Sequence, residues 1–431
     1  MVIGWRRWKK KKQQQREAKS KVEEVVTPNE FLCPISLELM KDPVTLCTGI
    51  TLDRETIERW FDEGNLRCPV TNQIVTNLDL IPNHTLRMMI QDWCVDNRTS
   101  GVQRIPTPRV PVTPMEVQRL LLNLHSSASR LDQHACLELL QTLEKWRGES
   151  ERNTRCMEDN GVPCALASVF HAFAVDTYNA TLLHHILLLL NSMFRSEARQ
   201  HLGSKASLRC MVWLLTQRDL SLKEASVVAL KNLLSLGDER HVEALAETEE
   251  GIGQVLVEFL NRRMMFGPTI AKASLAVVWY LVSSPSPCGE KMRLKFIELG
   301  TVSLMLEIMV DSERSTCEKA LGVFESLCGC EEGREEAYGN ALAVPVLVKK
   351  LFRVSSEHSV SAIWKLCKYG GERVVVEALQ VGAFQKLLLM LQVGCAHETK
   401  EKATQLLKWL NPYRDGVECI DSDFKNLKRS M

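Results

Sequence analysis

The chain is short of several things that would each point to a function. Its formal net charge is only +1 over 431 residues, so no global field would draw it to nucleic acid. No stretch approaches the eighteen or so apolar residues of a membrane-spanning helix; the richest, residues 186–190, is far shorter. No apolar segment of the export-signal type opens the chain. Fifteen cysteines are present, yet Cys33, Cys47, Cys68 and Cys94 stand singly, without the CxxC pairs of zinc clusters, and the rest follow no framework spacing. The thiols therefore read as reduced, mostly buried small hydrophobes. With 45% apolar residues available for cores, the expectation is a soluble intracellular protein of two or three domains, cytoplasmic and also compatible with the nucleus.

What is present falls into segments. Residues 1–27 begin with Trp5, Arg6, Arg7, Trp8 and four consecutive lysines, Lys9 to Lys12, and show no apolar periodicity. They read as a basic, disordered N-terminal tail. A solvated tail is its plain reading; a nuclear-localisation signal and contact with anionic lipid headgroups are the alternatives, membrane contact being the least expected. Residues 28–98 form one small domain. Residues 99–114 hold Pro106, Pro108, Pro111 and Pro114, whose spacing blocks helix and strand and predicts an extended linker. Residues 115–411 carry helical apolar spacing, and residues 412–431 lose it, as a C-terminal tail.

The helical segment repeats. A Gly or Ala preceding an apolar run recurs at Gly161, Ala206, Gly251, Gly300, Ala341 and Gly382. A Leu-rich helix follows in phase near Asn191, Asn232, Trp279, Phe324, Trp364 and Leu407. Helical periods of roughly 40–47 residues mark armadillo or HEAT repeats, which stack into a superhelix with a long concave surface. Residues 115–146 add a helical unit at the N-terminal end. Asn191, Asn232, Trp279, Trp364 and Trp409 are candidates by spacing to read an extended partner, and filling of the core by the tryptophans is the competing account. Armadillo proteins that bind nuclear localisation signals use W-x-x-x-N spacing. Here Ser283, Lys368 and Tyr413 stand four residues after Trp279, Trp364 and Trp409, so an import-receptor reading fails.

The small domain needs an apolar core and a polar network to hold it. Asp53 follows the extended stretch 44–52, where a helix should start, and its carboxylate is expected to cap the first free N–H groups, with Gly64 as the left-handed stop. Ile57, Trp60 and Phe61 give that helix an apolar face. Asn83 is a second N-cap, with Leu86, Ile90 and Trp93 following on one face. A short hairpin precedes the first helix.

These residues carry a resemblance. The block from Phe31-Leu32-Cys33-Pro34-Ile35 to Cys68-Pro69-Val70-Thr71 has the hydrophobic skeleton of a RING-like module without its zinc ligands. Together with Met40-Lys41-Asp42-Pro43-Val44, Gly49-Ile50-Thr51-Leu52-Asp53-Arg54, Gly64-Asn65 and Leu80-Ile81-Pro82-Asn83, it is similar to the U-box pattern throughout. Leu52 stands where the family usually has an aromatic residue. Followed by armadillo-like repeats, the chain resembles the plant U-box/armadillo ubiquitin ligases. The implied fold is mainly α: a small zinc-free RING-like α+β U-box followed by an α-solenoid of armadillo repeats.

What the resemblance implies is an E3 ligase of the non-covalent type, with no nucleophile, cofactor or metal. A ubiquitin-charged E2 would dock on Ile35 and Leu37 of a first loop, Trp60 of the helix and Pro69 of a second loop, a set of apolar anchors of hot-spot character. Asn72 occupies the position where related ligases place a basic residue that bonds both E2 and ubiquitin, so it would donate without charge assistance. Asp42, Asp53 and Arg54 are read as the structural network. Cys33 and Cys68 are set aside as thioester nucleophiles, since each precedes a proline and no His or Asp base lies close in sequence. Further implications are substrate capture in the armadillo groove, a homodimer through the U-box, and a role in plant stress or defence signalling. The alternative is a non-enzymatic armadillo scaffold with an inactive U-box.

Overall fold

The structure, a computed structural model, describes residues 26–106, 111–176, 179–194, 199–247, 251–352 and 356–416. Residues 1–25 of the basic tail and 417–431 of the C-terminal tail lie outside the described residues. Contacts divide the chain into two compact units, Met1–Val110 and Pro111–Met431.

In the first unit β1 (Pro43–Thr45) pairs antiparallel with β2 (Thr51–Asp53), Val44 facing Leu52. A third strand, β3 (Ile81–Pro82), adds to the other side of β1. It lies at an edge, where a proline that donates no ladder hydrogen bond is tolerated. Helix α1 (Arg54–Asp62) follows β2 directly and is stopped at Gly64, whose φ of 84° suits glycine. Helix α2 (His84–Asp96) is capped by Asn83, whose Oδ1 accepts from the Leu86 N–H at 3.0 Å.

The faces turn as the periodicity predicts: Leu52, Ile57 and Ile90 are fully buried, and Trp60, Phe61, Leu86 and Trp93 pack on them. Ile105 is also buried in this core, with Val102 against it and the Arg87 guanidinium donating to the Pro106 carbonyl at 3.0 Å. Part of the proline-bearing stretch therefore packs on this unit, because two of its residues are apolar enough to be worth burying.

The cap expected of Asp53 is a correction. Asp53 does sit at the N-cap position of α1, but its carboxylate makes no cap bond. Its Oδ1 instead accepts from the N–H groups of Lys41 and Asp42, at 2.7 and 2.9 Å. Two convergent donors on a neighbouring segment satisfy a carboxylate better than one frayed helical N–H.

The second unit opens with a capping box: Thr113 accepts from the Glu116 N–H and the Glu116 carboxylate returns to the Thr113 N–H, with Pro114 in the first turn. Helices Pro114–Ser129 and Gln133–Glu149 precede helical triads, of which Glu151–Asp159, Val162–Asp176 and Ala180–Ser192 form the first. The third helices, Ala180–Ser192, Leu220–Leu234, Pro268–Ser283, Arg314–Leu327, the first part of Ser356–Gln380 and His397–Leu410, stack in that order. Residues 356–380 hold two helices parted at Gly371, with φ 66° and ψ −159°, a conformation open to glycine alone. One apolar cluster runs through the unit from Val117 to Leu410. No single described helix is long and apolar enough to cross a membrane.

Candidate functional site

Two loops of the first unit close in the same way. In the first, the Cys33 N–H donates to the Glu38 carbonyl and the Leu37 N–H to the Cys33 carbonyl, both at 2.8 Å. In the second, Cys68 donates to Gln73 and Asn72 to Cys68, again at 2.8 Å. Leu32 bridges Leu39, and Arg67 bridges Ile74. The fifth residue of each loop, Leu37 or Asn72, has a φ of 58°. Each cysteine precedes a proline, whose fixed φ presets the turn.

The cysteine sulfurs sit at the loop centres. Cys33 and Cys68 are buried. Burial pushes the Cys33 thiol up, but the N–H groups of Ser36, Asp53 and Ile35 and the Ser36 hydroxyl outweigh it and hold it below the usual value. Burial acts likewise on Cys68, and the hydroxyl and N–H of Thr71 with the N–H of Val70 help bring it down to about 7. Each sulfur thus gathers donors of its own loop and one from outside it, the Asp53 N–H at Cys33 and the Thr48 hydroxyl at Cys68. Among the described residues no three His, Cys, Asp or Glu side chains gather as a metal site.

The polar network anchors the first loop to the helix. The Asp53 N–H donates to the Cys33 sulfur at 3.4 Å. The Arg54 Nε–H donates to Asp42 Oδ2 at 2.7 Å, and the Arg54 N–H to the Asp42 carbonyl at 3.0 Å. Burial pushes the Asp53 carboxyl up against the pull of its two N–H donors. Asp42, Asp53 and Arg54 therefore form one connected group.

With the loops held this way, apolar side chains are left facing outward. Leu37 is 73% exposed and Val70 51%. Ile35 and Trp60 are half-buried against the core, and Pro69 is half-buried. The Trp60 indole N–H donates to the Arg67 carbonyl at 2.8 Å, fastening α1 to the second loop. Asn72 is exposed, and its carbonyl accepts from the Arg67 Nη1–H at 3.0 Å. Sequence reasoning missed Val70 and Arg67. A signal was present, because Cys68-Pro69-Val70-Thr71 echoes Cys33-Pro34-Ile35-Ser36 and puts Val70 in the place of Ile35.

In the second unit, the side chains offered as partner readers are largely engaged with neighbouring repeats. Asn191 donates to the Ala225 carbonyl at 2.8 Å. The Trp279 indole lies against Gly322, where an added Cβ would stand 2.8 Å from its nitrogen. Trp364 donates to Gln405 at 2.7 Å and lies 6.1 Å from Trp409, with the Lys368 ammonium 4.6 Å from the Trp364 ring centre. Trp279, Trp364 and Trp409 are all half-buried and pack on the core. Asn232 is half-buried as well. Between the last three third helices, Glu325 gathers His358, Ser361 and Lys365, and Lys402 donates to Ser361 at 3.0 Å. Burial pushes the Glu325 carboxyl up, but the His358 hydrogen bond and the Lys365 charge prevail and bring it to about 2.

The family model "U-box domain" matches residues 27–99, and "Plant U-box protein ARM repeat region" matches residues 116–430. The chain is 43% identical to U-box domain-containing protein 21 of Arabidopsis thaliana, over 94% of this chain and 93% of that protein. It is 38% identical to the E3 ubiquitin-protein ligase PUB23 of the same plant, over 90% of this chain and 93% of that protein. Among solved structures, a designed armadillo repeat protein aligns with 57% of this chain and 99% of its own, at 20% identity and a TM-score of 0.46.

Proposed function

The chain belongs to the plant U-box family of E3 ubiquitin ligases with armadillo repeats, and on that premise we propose how it divides the work. Its U-box holds a ubiquitin-charged E2 on Ile35, Leu37, Trp60 and Pro69, with Val70 added to the set, and its armadillo repeats select the protein to be modified. The observation that carries this reading is Leu37. A leucine at φ 58° costs roughly 1–2 kcal/mol in backbone strain, and its side chain is 73% exposed. A strained, exposed apolar residue on a loop shaped by its own hydrogen bonds stabilises nothing in the free protein; it has the character of a binding anchor.

In this reading the enzyme supplies no nucleophile. It orients the E2–ubiquitin thioester so that a substrate lysine meets a placed carbonyl, which is catalysis by proximity and orientation. The armadillo groove receives an extended segment of the substrate. A role in stress or defence signalling rests on the family alone, and a cytoplasmic placement, also compatible with the nucleus, on composition and the basic tail; an unchanged stress response in plants lacking the protein would argue against the first.

The test is autoubiquitination with purified E1, a promiscuous E2, ubiquitin and ATP. Wild type should give a ubiquitin ladder that Ile35→Ala and Pro69→Ala abolish while circular dichroism stays unchanged. No ladder from wild type across a broad E2 panel would instead favour an armadillo scaffold with an inactive U-box.

A further inference from the structure

The two loops of the U-box serve as an internal control. They share the Cys-Pro start, the same pair of backbone hydrogen bonds and a fifth position at φ 58°. They differ in what crosses them. In the second loop the Arg67 guanidinium reaches over the turn to the Asn72 carbonyl at 3.0 Å. The equivalent position of the first loop, paired with Leu39 as Arg67 is paired with Ile74, is Leu32, which has no hydrogen-bonding side chain. The first loop closes all the same, so the guanidinium is not needed to form the turn.

Its placement is specific nonetheless. Arg67 is exposed, its carbonyl holds the Trp60 indole, and its side chain ends beside Asn72. One N–H of the fork is spent on a neutral carbonyl; a guanidinium has five such donors in a rigid plane. The remainder, with the full positive charge, sit on the loop that carries Pro69 and Val70 and whose Arg67 carbonyl holds Trp60. Asn72 itself brings only a neutral amide.

We propose that Arg67 is a positioning residue for ubiquitin transfer: anchored on the Asn72 carbonyl, it gives carbonyl and carboxylate acceptors at the seam between E2 and ubiquitin a charge-assisted donor and holds the conjugate closed. This rests on the E2 site proposed above. A cation donates more strongly than an amide, and its benefit is felt in the oriented conjugate rather than in E2 docking.

The test uses the full chain with an E2 charged with ubiquitin. Single-turnover discharge to free lysine and E2 affinity are measured separately for wild type, Arg67→Ala, Arg67→Lys, the double variant R67A/N72R, and Ile35→Ala. Arg67→Ala should slow discharge about tenfold, with E2 affinity and thermal midpoint unchanged. Arg67→Lys should keep part of the rate, and N72R should restore it in the R67A background. Discharge by Arg67→Ala at the wild-type rate, or a loss of rate matched by a loss of E2 affinity, overturns the inference. Ile35→Ala separates the two readings. If it binds and discharges like wild type, the E2 site falls and the role of Arg67 with it; if it fails while the Arg67 variants match wild type, only the role of Arg67 falls.

Discussion

The U-box and the armadillo repeats use polar groups to opposite ends. In the U-box, Asp53 and the two loop cysteines accept backbone N–H groups, so polar atoms shape the chain and apolar side chains such as Leu37 and Val70 are left outside. In the repeats, side chains bond across from one third helix to the next, as His184 does to Ser221 and Glu325 to Lys365, so polar atoms stitch neighbours and apolar ones go inside. The cores differ in kind as well. Twelve buried apolar residues serve the whole U-box, whereas the cluster of the repeats passes from neighbour to neighbour along the solenoid. A small unit with one core fails as a whole; a stacked one fails locally.

One truncation in each core tests whether the two units fail differently. Ile57→Ala and Leu230→Ala both empty fully buried sites and should each cost about 2–5 kcal/mol. Hydrogen exchange on the full chain should show protection lost throughout residues 26–106 for the first, but concentrated in the neighbouring repeats for the second. Uniform loss across the repeats for Leu230→Ala would end the contrast.

Acid also acts differently on the two units. A carboxyl held at about 2 in the fold and at 4.5 normally contributes stability that is present above 4.5 and is lost as pH falls through about 2. The Glu325 group is thus worth about 3 kcal/mol to the repeats at neutral pH. Asp53 is shifted the other way, raised above 3.8, so its contribution is present below 3.8 and lost as pH rises through its folded value. Acid titration of unfolding should therefore show Glu325→Gln flattening the decline of the repeats between pH 4.5 and 2. An unaltered acid profile in that variant would remove Glu325 as the cause.

Smaller effects follow from single contacts. Gly322→Ala places a Cβ 2.8 Å from the Trp279 nitrogen and should cost about 1–3 kcal/mol, with a changed Trp279 fluorescence; an unshifted denaturation midpoint would mean the indole yields freely. Leu37→Asn should raise U-box stability by up to about 1 kcal/mol, since Asn tolerates positive φ, while E2 affinity falls. A variant both more stable and equally tight for E2 would contradict the anchor role proposed for Leu37.

Much of the armadillo unit was legible in the chain because a repeated helical pattern states the same packing problem six times over. The site was legible in part. Ile35, Leu37, Trp60 and Pro69 could be named from the U-box resemblance, but the turn of the Asp53 carboxylate could not. An N-cap is a local rule, and Asp53 instead answered donors at Lys41 and Asp42, brought near by the hairpin. The bonds of Asn191 and Trp364 were hidden for a related reason. Their helical spacing was plain, but their partners, the Ala225 carbonyl and Gln405, lie one repeat away.

Periodicity, proline and caps act over a few residues, so the chain alone marks which segments are helical and which turns begin with Cys-Pro. That Arg67 spans the second loop, that Leu37 stands strained and exposed, and that Glu325 bonds the next helix, whose Ser361 accepts from Lys402 of a third, emerged only from the fold. Those outcomes depend on distances between residues remote in sequence, which packing of the whole fold alone sets.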